Sequence, residues 1–298
     1  MDRTQALGVT FAVALGLAAG VTTGCGSKQK QIVVGSKNFT EQVVLAEIIS
    51  RHLEHRLGRP VKRQLNLGGT LLTYQALQSG QISLYPEYTG TIEAEILKET
   101  PSADPLQVYE RSRLELARLA QIDLLSPLGV DNTFVMVIRG ADARKRNVAT
   151  LSDAALVKDG WKLGMGYEFE QRIDGMTSLN QYHLPFSAAP RSMDLGLLYK
   201  ALDEGQVTMI AANATDGPLT AHDWTTLRDD KKVFGSYQAC VMVRQDVLAD
   251  EPRLKPALAE LSGKFTNEVM RKLDAAVDVD HRQPSQVAAD FLAQAGLK

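Results

Sequence analysis

The sequence predicts an α/β protein of two lobes joined by two crossover strands. Three observations predict it. Short apolar runs that read as buried strands alternate with helical patterns. The alternation occurs as two separate series, one on each side of Gly129. Two similar β runs, TFVMVIRGADA (133–143) and QACVMVRQDVLAD (238–250), bracket the second series.

The first strand is QIVVG (31–35), a continuous apolar run ending at Gly35. In the following SKNFTEQVVLAEIISRHLEHRLG, Val44, Leu45, Ile48, Ile49 and Leu53 recur at helical spacing. Asn38 with Glu41 three residues on predicts a capping box, and Gly58 followed by Pro60 ends the helix. VKRQLNL (61–67) alternates as a strand, and Gly68-Gly69-Thr70 turns the chain into a helix through Gly80. ISLY (82–85) is the third strand, closed by Pro86. A helix from about Pro105 to Gln121 leads to IDLLS. Strands separated by helices in this order predict a parallel sheet.

In the second series TLSDAALVKDG is a helix, WKLGMG a strand, DLGLLYKALDEG a helix and VTMIAA a strand. The tail from Asp246 to Lys298 is helical, broken at Pro252 and Pro284. Reading the bracketing β runs as crossovers assigns 31–133 and 239–298 to lobe one and 134–238 to lobe two. The alternative is a single α/β domain with an internal coincidence. Two such lobes place a ligand cleft where strand ends converge, with closure as a hinge motion of the crossovers.

Composition bounds the function. The chain has 298 residues, 44% hydrophobic and 23% charged, with a formal net charge of −2. No basic block exists, which disfavours a nucleic-acid surface. The N-terminus reads as an export signal over residues 1–24: a short polar start with Arg3, then LGVTFAVALGLAAGV (7–21). Gly24 directly before Cys25, with a polar linker to residue 30, resembles a bacterial lipoprotein cleavage site. Thr22 stands where that pattern has Leu. Cys25 is therefore the expected lipidation site and membrane anchor. No other run reaches the ~18 apolar residues that span a bilayer. With Cys25 acylated, Cys240 has no disulfide partner and reads as a small buried hydrophobe.

Catalytic patterns are missing. His52 and His55 lie three apart on a helix, but without a third ligand they read as a solvated face and not a metal site. There is no HExxH, GxSxG or phosphate-binding glycine loop. Neither an enzyme nor a cofactor is expected.

Polar clusters instead gather at strand ends: GSKNFTEQ (35–42), NLGGT (66–70), YPEYTGT (85–91), DNTF (131–134), EFEQRIDG (168–175), NATDG (213–217) and GSYQA (235–239). Within them Lys37 and Arg172 suit a carboxylate, Arg172 by bidentate geometry. Tyr88, Phe134 and Tyr237 suit walls for a cationic head group that cannot donate hydrogen bonds. The plainer reading of each is packing at a strand end or a surface ion pair.

Over essentially all of 31–298, the motifs SKNFTEQ, GGT, YPEYTGT, DNTF, R-x-DG and TDG resemble the substrate-binding proteins of osmoprotectant ABC importers. These are the glycine betaine, carnitine and choline binders of the OpuC/ProX type. The resemblance implies the two-lobed periplasmic-binding-protein fold, type II. It also implies an ABC permease and its ATPase as partners, a monomer, and a small zwitterionic or quaternary ammonium ligand. It places Tyr88 in the aromatic cage with the Thr91 hydroxyl beside it, Lys37 and Arg172 on the ligand carboxylate, and Tyr237 in the cage. Two positions depart: Phe134 and Asn213 stand where cage tyrosines are expected. Phe134 keeps a π face, whereas Asn213 offers an amide. The alternatives that stay open are a different, amino-acid-derived zwitterion and a ligand-sensing module outside transport.

Overall fold

The computed structural model describes residues 30–99, 102 and 104–298. The expected signal segment, Cys25 and the linker to residue 29 lie outside the described residues. Residues 31–298 form one unit built on two five-stranded sheets, one per lobe. Chain order gives β1 (Val33–Gly35), β2 (Lys62–Gln64), β3 (Leu84–Tyr88) and β4 (Ile122–Leu124) to the first sheet. The second sheet takes β5 (Phe134–Arg139), β6 (Leu163–Gly166), β7 (Arg191–Met193), β8 (Met209–Asn213) and β9 (Trp224–Leu227). The last strand, β10 (Ala239–Arg244), returns to the first sheet. The strand orders are β2-β1-β3-β10-β4 and β7-β6-β8-β5-β9.

The sheet expected to be parallel is mixed, and so is the second. β10 runs antiparallel to β3 and β4, and β5 antiparallel to β8 and β9. Each arrives from the other lobe without a helical crossover of its own, so it runs against the strands that βαβ units lay down. The two connections run side by side before they enter their sheets. Asp131 bridges Gln238, Asn132 N–H donates to the Tyr237 carbonyl and Ala239 N–H to that of Val130.

The first helix, Thr40–Leu57, buries all five residues that its spacing picks out. Each such side chain is worth about 1.5–3 kcal/mol relative to exposure. This face packs against the tail helices, above all Pro284–Gln294. Gly58 ends the helix at φ +67°, a backbone geometry that favours glycine. The expected capping box does not form. Phe39 is the N-cap residue, without a side-chain cap bond, and Glu41 is drawn into a buried network described below. His52, expected on a solvated face, is fully buried, and its Nε2–H donates to the Ala257 carbonyl. Burial raises the Cys240 thiol pKa, in keeping with an inert core position in β10.

Pro86 does not end the third strand. It lies inside β3, opposite Val241 of β10. Proline normally avoids central strands because it lacks an N–H. Here β1 pairs with β3 only at Val34–Leu84. At Pro86 the edge facing β1 has already lost its partner, so no ladder bond is missing. Glu87 and Tyr88 thereby stay extended and are carried into the cleft.

No helix among the described residues is long and apolar enough to cross a membrane, and no group of three metal-ligating side chains occurs among them.

Candidate ligand-binding cleft

A cavity of about 230 Å³ is lined by residues from both lobes. The seven positions expected from the sequence, Lys37, Tyr88, Thr91, Phe134, Arg172, Asn213 and Tyr237, all line it. They reach it from separate elements. Lys37 follows β1, Tyr88 ends β3, and Thr91 lies one turn later. Phe134 opens β5, Asn213 closes β8 and pairs directly with Phe134 across the sheet. Arg172 follows the short helix Tyr167–Gln171. Tyr237 sits on the connection into β10. Gly90 permits its approach, since a Cβ there would lie 2.8 Å from the Tyr237 ring and 2.7 Å from the Ser236 carbonyl.

The lobe-one wall is internally paired. Lys37 Nζ lies 2.6 Å from Glu87 Oε1 and 3.5 Å from Thr70 Oγ1. It also stands 4.9 Å from the centroid of the Tyr88 ring. Tyr85, fully buried, donates to the other Glu87 oxygen at 3.2 Å. Behind the Tyr88 ring, its hydroxyl donates to Glu41 at 2.7 Å. Glu41 also accepts from Asn132 at 3.1 Å and from Thr215 at 2.5 Å. Burial, then the neighbouring Glu41 carboxylate, raises the Tyr88 phenol pKa well above its usual value, so this phenol stays a donor.

The opposite wall is held by Asp174. Arg172 Nε and Nη2 donate to its two oxygens at 2.8 and 2.5 Å, and Tyr237 OH donates to it as well. Burial alone would lower the Arg172 pKa, but the Asp174 hydrogen bonds and charge raise it, so the guanidinium keeps its charge inside the protein. Nη1 and Nη2 each reach Thr91 Oγ1 at 3.2 Å, a contact that joins the lobes. Four of the five guanidinium hydrogens are thereby directed at protein acceptors and one on Nη1 is left. Phe134 meets Phe169 edge-on at 5.0 Å and Tyr237 at 5.5 Å. Glu168 adds a second contact between lobes, accepting from Thr70 N–H at 3.0 Å where the helix Thr70–Gln78 begins.

The acids that set this electrostatics carry no signal in the sequence. Glu87 and Asp174 lie inside motifs already singled out, one residue from Tyr88 and two from Arg172, but nothing local says that they pair with the cleft cations. Glu41 reads from the sequence as the helix-cap partner of Asn38. Phe169, Asn132 and Asp194 also line the cavity. Phe169 carried a signal, as an apolar residue inside the charged run EFEQR.

Two sheets on either side of a cleft lined with rings and charges define a two-lobed solute-binding protein. The family model described as "Substrate binding domain of ABC-type glycine betaine transport system" matches residues 30–294, and the chain belongs to this family. Carnitine transport binding protein OpuCC of Listeria monocytogenes is 30% identical, covering 90% of this chain and 87% of that protein. Ergothioneine transport permease/ergothioneine binding protein EgtU of Helicobacter pylori is 32% identical over 91% of this chain, which spans 48% of that longer protein. A solved structure titled as a glycine betaine/carnitine/choline ABC transporter superposes with a TM-score of 0.77 at 25% identity, covering 90% of this chain and 99% of that one. The chain is accordingly a substrate-binding protein of the glycine betaine/carnitine/choline type of ABC importer. Proteins of this class work outside the cytoplasm.

Proposed function

We propose that the cleft captures a quaternary ammonium osmoprotectant of the glycine betaine, choline or carnitine kind and delivers it to an ABC permease with its ATPase. The observation behind it is the convergence of the Tyr88, Phe134 and Tyr237 rings on one cavity. Lys37 and Arg172 are each matched by a carboxylate, and Glu168 and Asp194 line the cavity besides. With Glu87 and Asp174 buried behind the wall, two formal positive charges stand against four negative ones in and around the cleft, a balance that favours a ligand carrying a cation. A trimethylammonium group has no N–H to give those acids. Ring faces accept it instead, at about 0.5–2 kcal/mol each when desolvated. The ligand carboxylate, in glycine betaine or carnitine, meets the remaining Arg172 hydrogen and the Lys37 ammonium.

Residues 31–133 with 239–298 and residues 134–238 act as the two lobes. The paired segments around Asn132 and Tyr237 are the hinge, and Arg172–Thr91 and Glu168–Thr70 are the contacts that closure makes. Export through the segment 1–24 and acylation of Cys25 tether the protein, as a monomer, to the membrane beside its permease. Labelling with a radioactive fatty acid, lost on Cys25→Ser, tests the tether.

Thermal unfolding with glycine betaine, choline and carnitine tests the ligand class. A bound member at a hundredfold excess over its Kd adds about 2.7 kcal/mol, raising Tm by ~5 °C or more. If none of the three moves Tm, the proposal fails. A second reading keeps the fold and role but takes an amino-acid-derived zwitterion. The name of the EgtU relative favours it, and ergothioneine belongs in the same panel.

A further inference from the structure

Asn213 stands where a fourth ring would complete the aromatic cage, and its surroundings fix what it offers instead. Its Nδ2 donates to Asp216 Oδ1 at 3.2 Å, and its backbone N–H donates to Asp216 Oδ2 at 3.1 Å. Tyr199 OH donates to the same Oδ2 at 3.0 Å and anchors the carboxylate from behind. An ionised carboxylate only accepts, so the NH₂ end of the amide must be the end facing Asp216. The carbonyl Oδ1 is the end left over. Among the described residues nothing donates to it, nor is it one of the enclosed side-chain oxygens without a partner. Asn213 lines the cavity, so the cleft wall beside Phe134 presents a fixed acceptor where a ring would present a π face.

A trimethylammonium group packed there gives this oxygen only C–H contacts, which are weaker than an N–H or O–H donor. It also takes the oxygen out of water, and a buried acceptor left unmatched is costly. A ligand with a true donor at this point recovers the loss.

We propose that Asn213, oriented by Asp216, selects betaines that carry an additional hydrogen-bond donor near the quaternary ammonium, either a hydroxyl or an azole N–H. This rests on the reading of the cleft as a betaine site. Within that reading, Asn213 Oδ1 is the specificity-determining atom and Asp216 is a positioning residue that acts through it. The register of Phe134 against Asn213 places the donor's partner directly beside an aromatic face. The donor and the methylammonium must therefore be close neighbours in the ligand.

Matched ligand pairs test the inference on the full chain by titration calorimetry. Carnitine and γ-butyrobetaine differ by one hydroxyl. Histidine betaine and its ring N-methyl derivative differ by one azole N–H. The expected result is a preference of about tenfold or more for the donor-bearing member of at least one pair, the size of one well-placed hydrogen bond. The pair that shows it identifies the donor. Asn213→Ala should bring that ratio close to one. Asp216→Ala, which frees the amide to turn, should reduce the ratio while weakening the donor-free member less. The wild-type ratios stand even if a variant fails to fold. If γ-butyrobetaine and carnitine bind within twofold of each other, and the histidine pair likewise, the inference is overturned while the betaine reading survives. If no compound of either pair binds, and glycine betaine and choline do not, the betaine reading falls and this inference falls with it.

Discussion

The two walls of the cleft are built on different principles. In lobe one, Lys37 is matched by Glu87 and Thr70, and Tyr88 by Glu41. In lobe two, Arg172 keeps one hydrogen and Asn213 keeps its carbonyl oxygen. The first wall is a platform, a ring anchored by a buried hydrogen bond to Glu41 beside the buried Lys37–Glu87 ion pair. On the proposed function, the second wall carries the groups that read the ligand. Changes to the platform's partners should therefore register first as stability, and changes to the reader as affinity or selectivity.

The largest expected effect breaks the platform. Lys37→Met leaves Glu87 buried without its cation, and breaking such a pair costs about 3–5 kcal/mol. Urea unfolding should show this loss, and adding Glu87→Gln should recover most of it. A change under ~1 kcal/mol in the single variant would mean that Glu87 is solvated and the platform is not internally paired.

Next in size is the ring itself. Tyr88→Ala should weaken binding of a trimethylammonium ligand by at least ~1 kcal/mol, read by calorimetry. An unchanged Kd would remove Tyr88 from the site. Tyr88→Phe separates ring from hydroxyl. It deletes one bond to Glu41 and should cost about 1 kcal/mol of stability while leaving Kd within about threefold.

The acids behind the walls give a pH signature. Burial raises the pKa values of Glu41 and Asp274, and the carboxylates of Glu41 and Asp278 near Asp274 raise it further. Burial pushes Asp216 up to about 6. Facing this group are Tyr88 and Asn132 from lobe one, Thr215 and Tyr199 from lobe two, and Asp278 on the helix that carries Asp274. A carboxyl whose pKa is higher folded than unfolded stabilises the fold while protonated. That contribution is present at acid pH and is lost as pH rises through the folded value. Carboxylates held the other way, such as Glu260 with Arg56, lose their contribution only when pH falls below the ordinary carboxylate range. Tm should therefore be higher near pH 5.5 than at pH 8, and Asp274→Asn should flatten the difference. A Tm that climbs steadily from pH 5.5 to 8 would contradict the assignment.

The smallest expected effect converts reader into platform. Asn213→Tyr should tighten glycine betaine by about 0.5–1 kcal/mol through an added ring. No gain would show that a ring at position 213 does not reach the trimethylammonium group.

Much of this was legible in the sequence, for physical reasons. The first helix announced itself because Val44, Leu45, Ile48, Ile49 and Leu53 must share one buried face. The crossovers announced themselves as two apolar runs of one pattern. Strand direction did not, because hydropathy is the same read either way along a strand. The strand–helix order of the first series therefore predicts a parallel sheet where the structure has a mixed one. β7 and β9 went unseen because they are short and half-exposed, without the alternation that marks a strand. The seven cleft positions were legible because each sits in a polar motif at a strand end. Their acid partners were not, since Lys37–Glu87 and Tyr88–Glu41 each join residues about fifty positions apart. Pro86 misled because its tolerance depends on where β1 stops, a fact of the sheet and not of the strand.

On the proposed function, ring faces hold a cation. Titration calorimetry of glycine betaine against 3,3-dimethylbutanoate tests it most directly. The two ligands share shape and carboxylate, and differ in a quaternary nitrogen against a quaternary carbon. Charge-specific capture predicts that glycine betaine binds at least about tenfold more tightly. Equal affinities, or tighter binding of the carbon compound, would show that the aromatic walls recognise only apolar bulk.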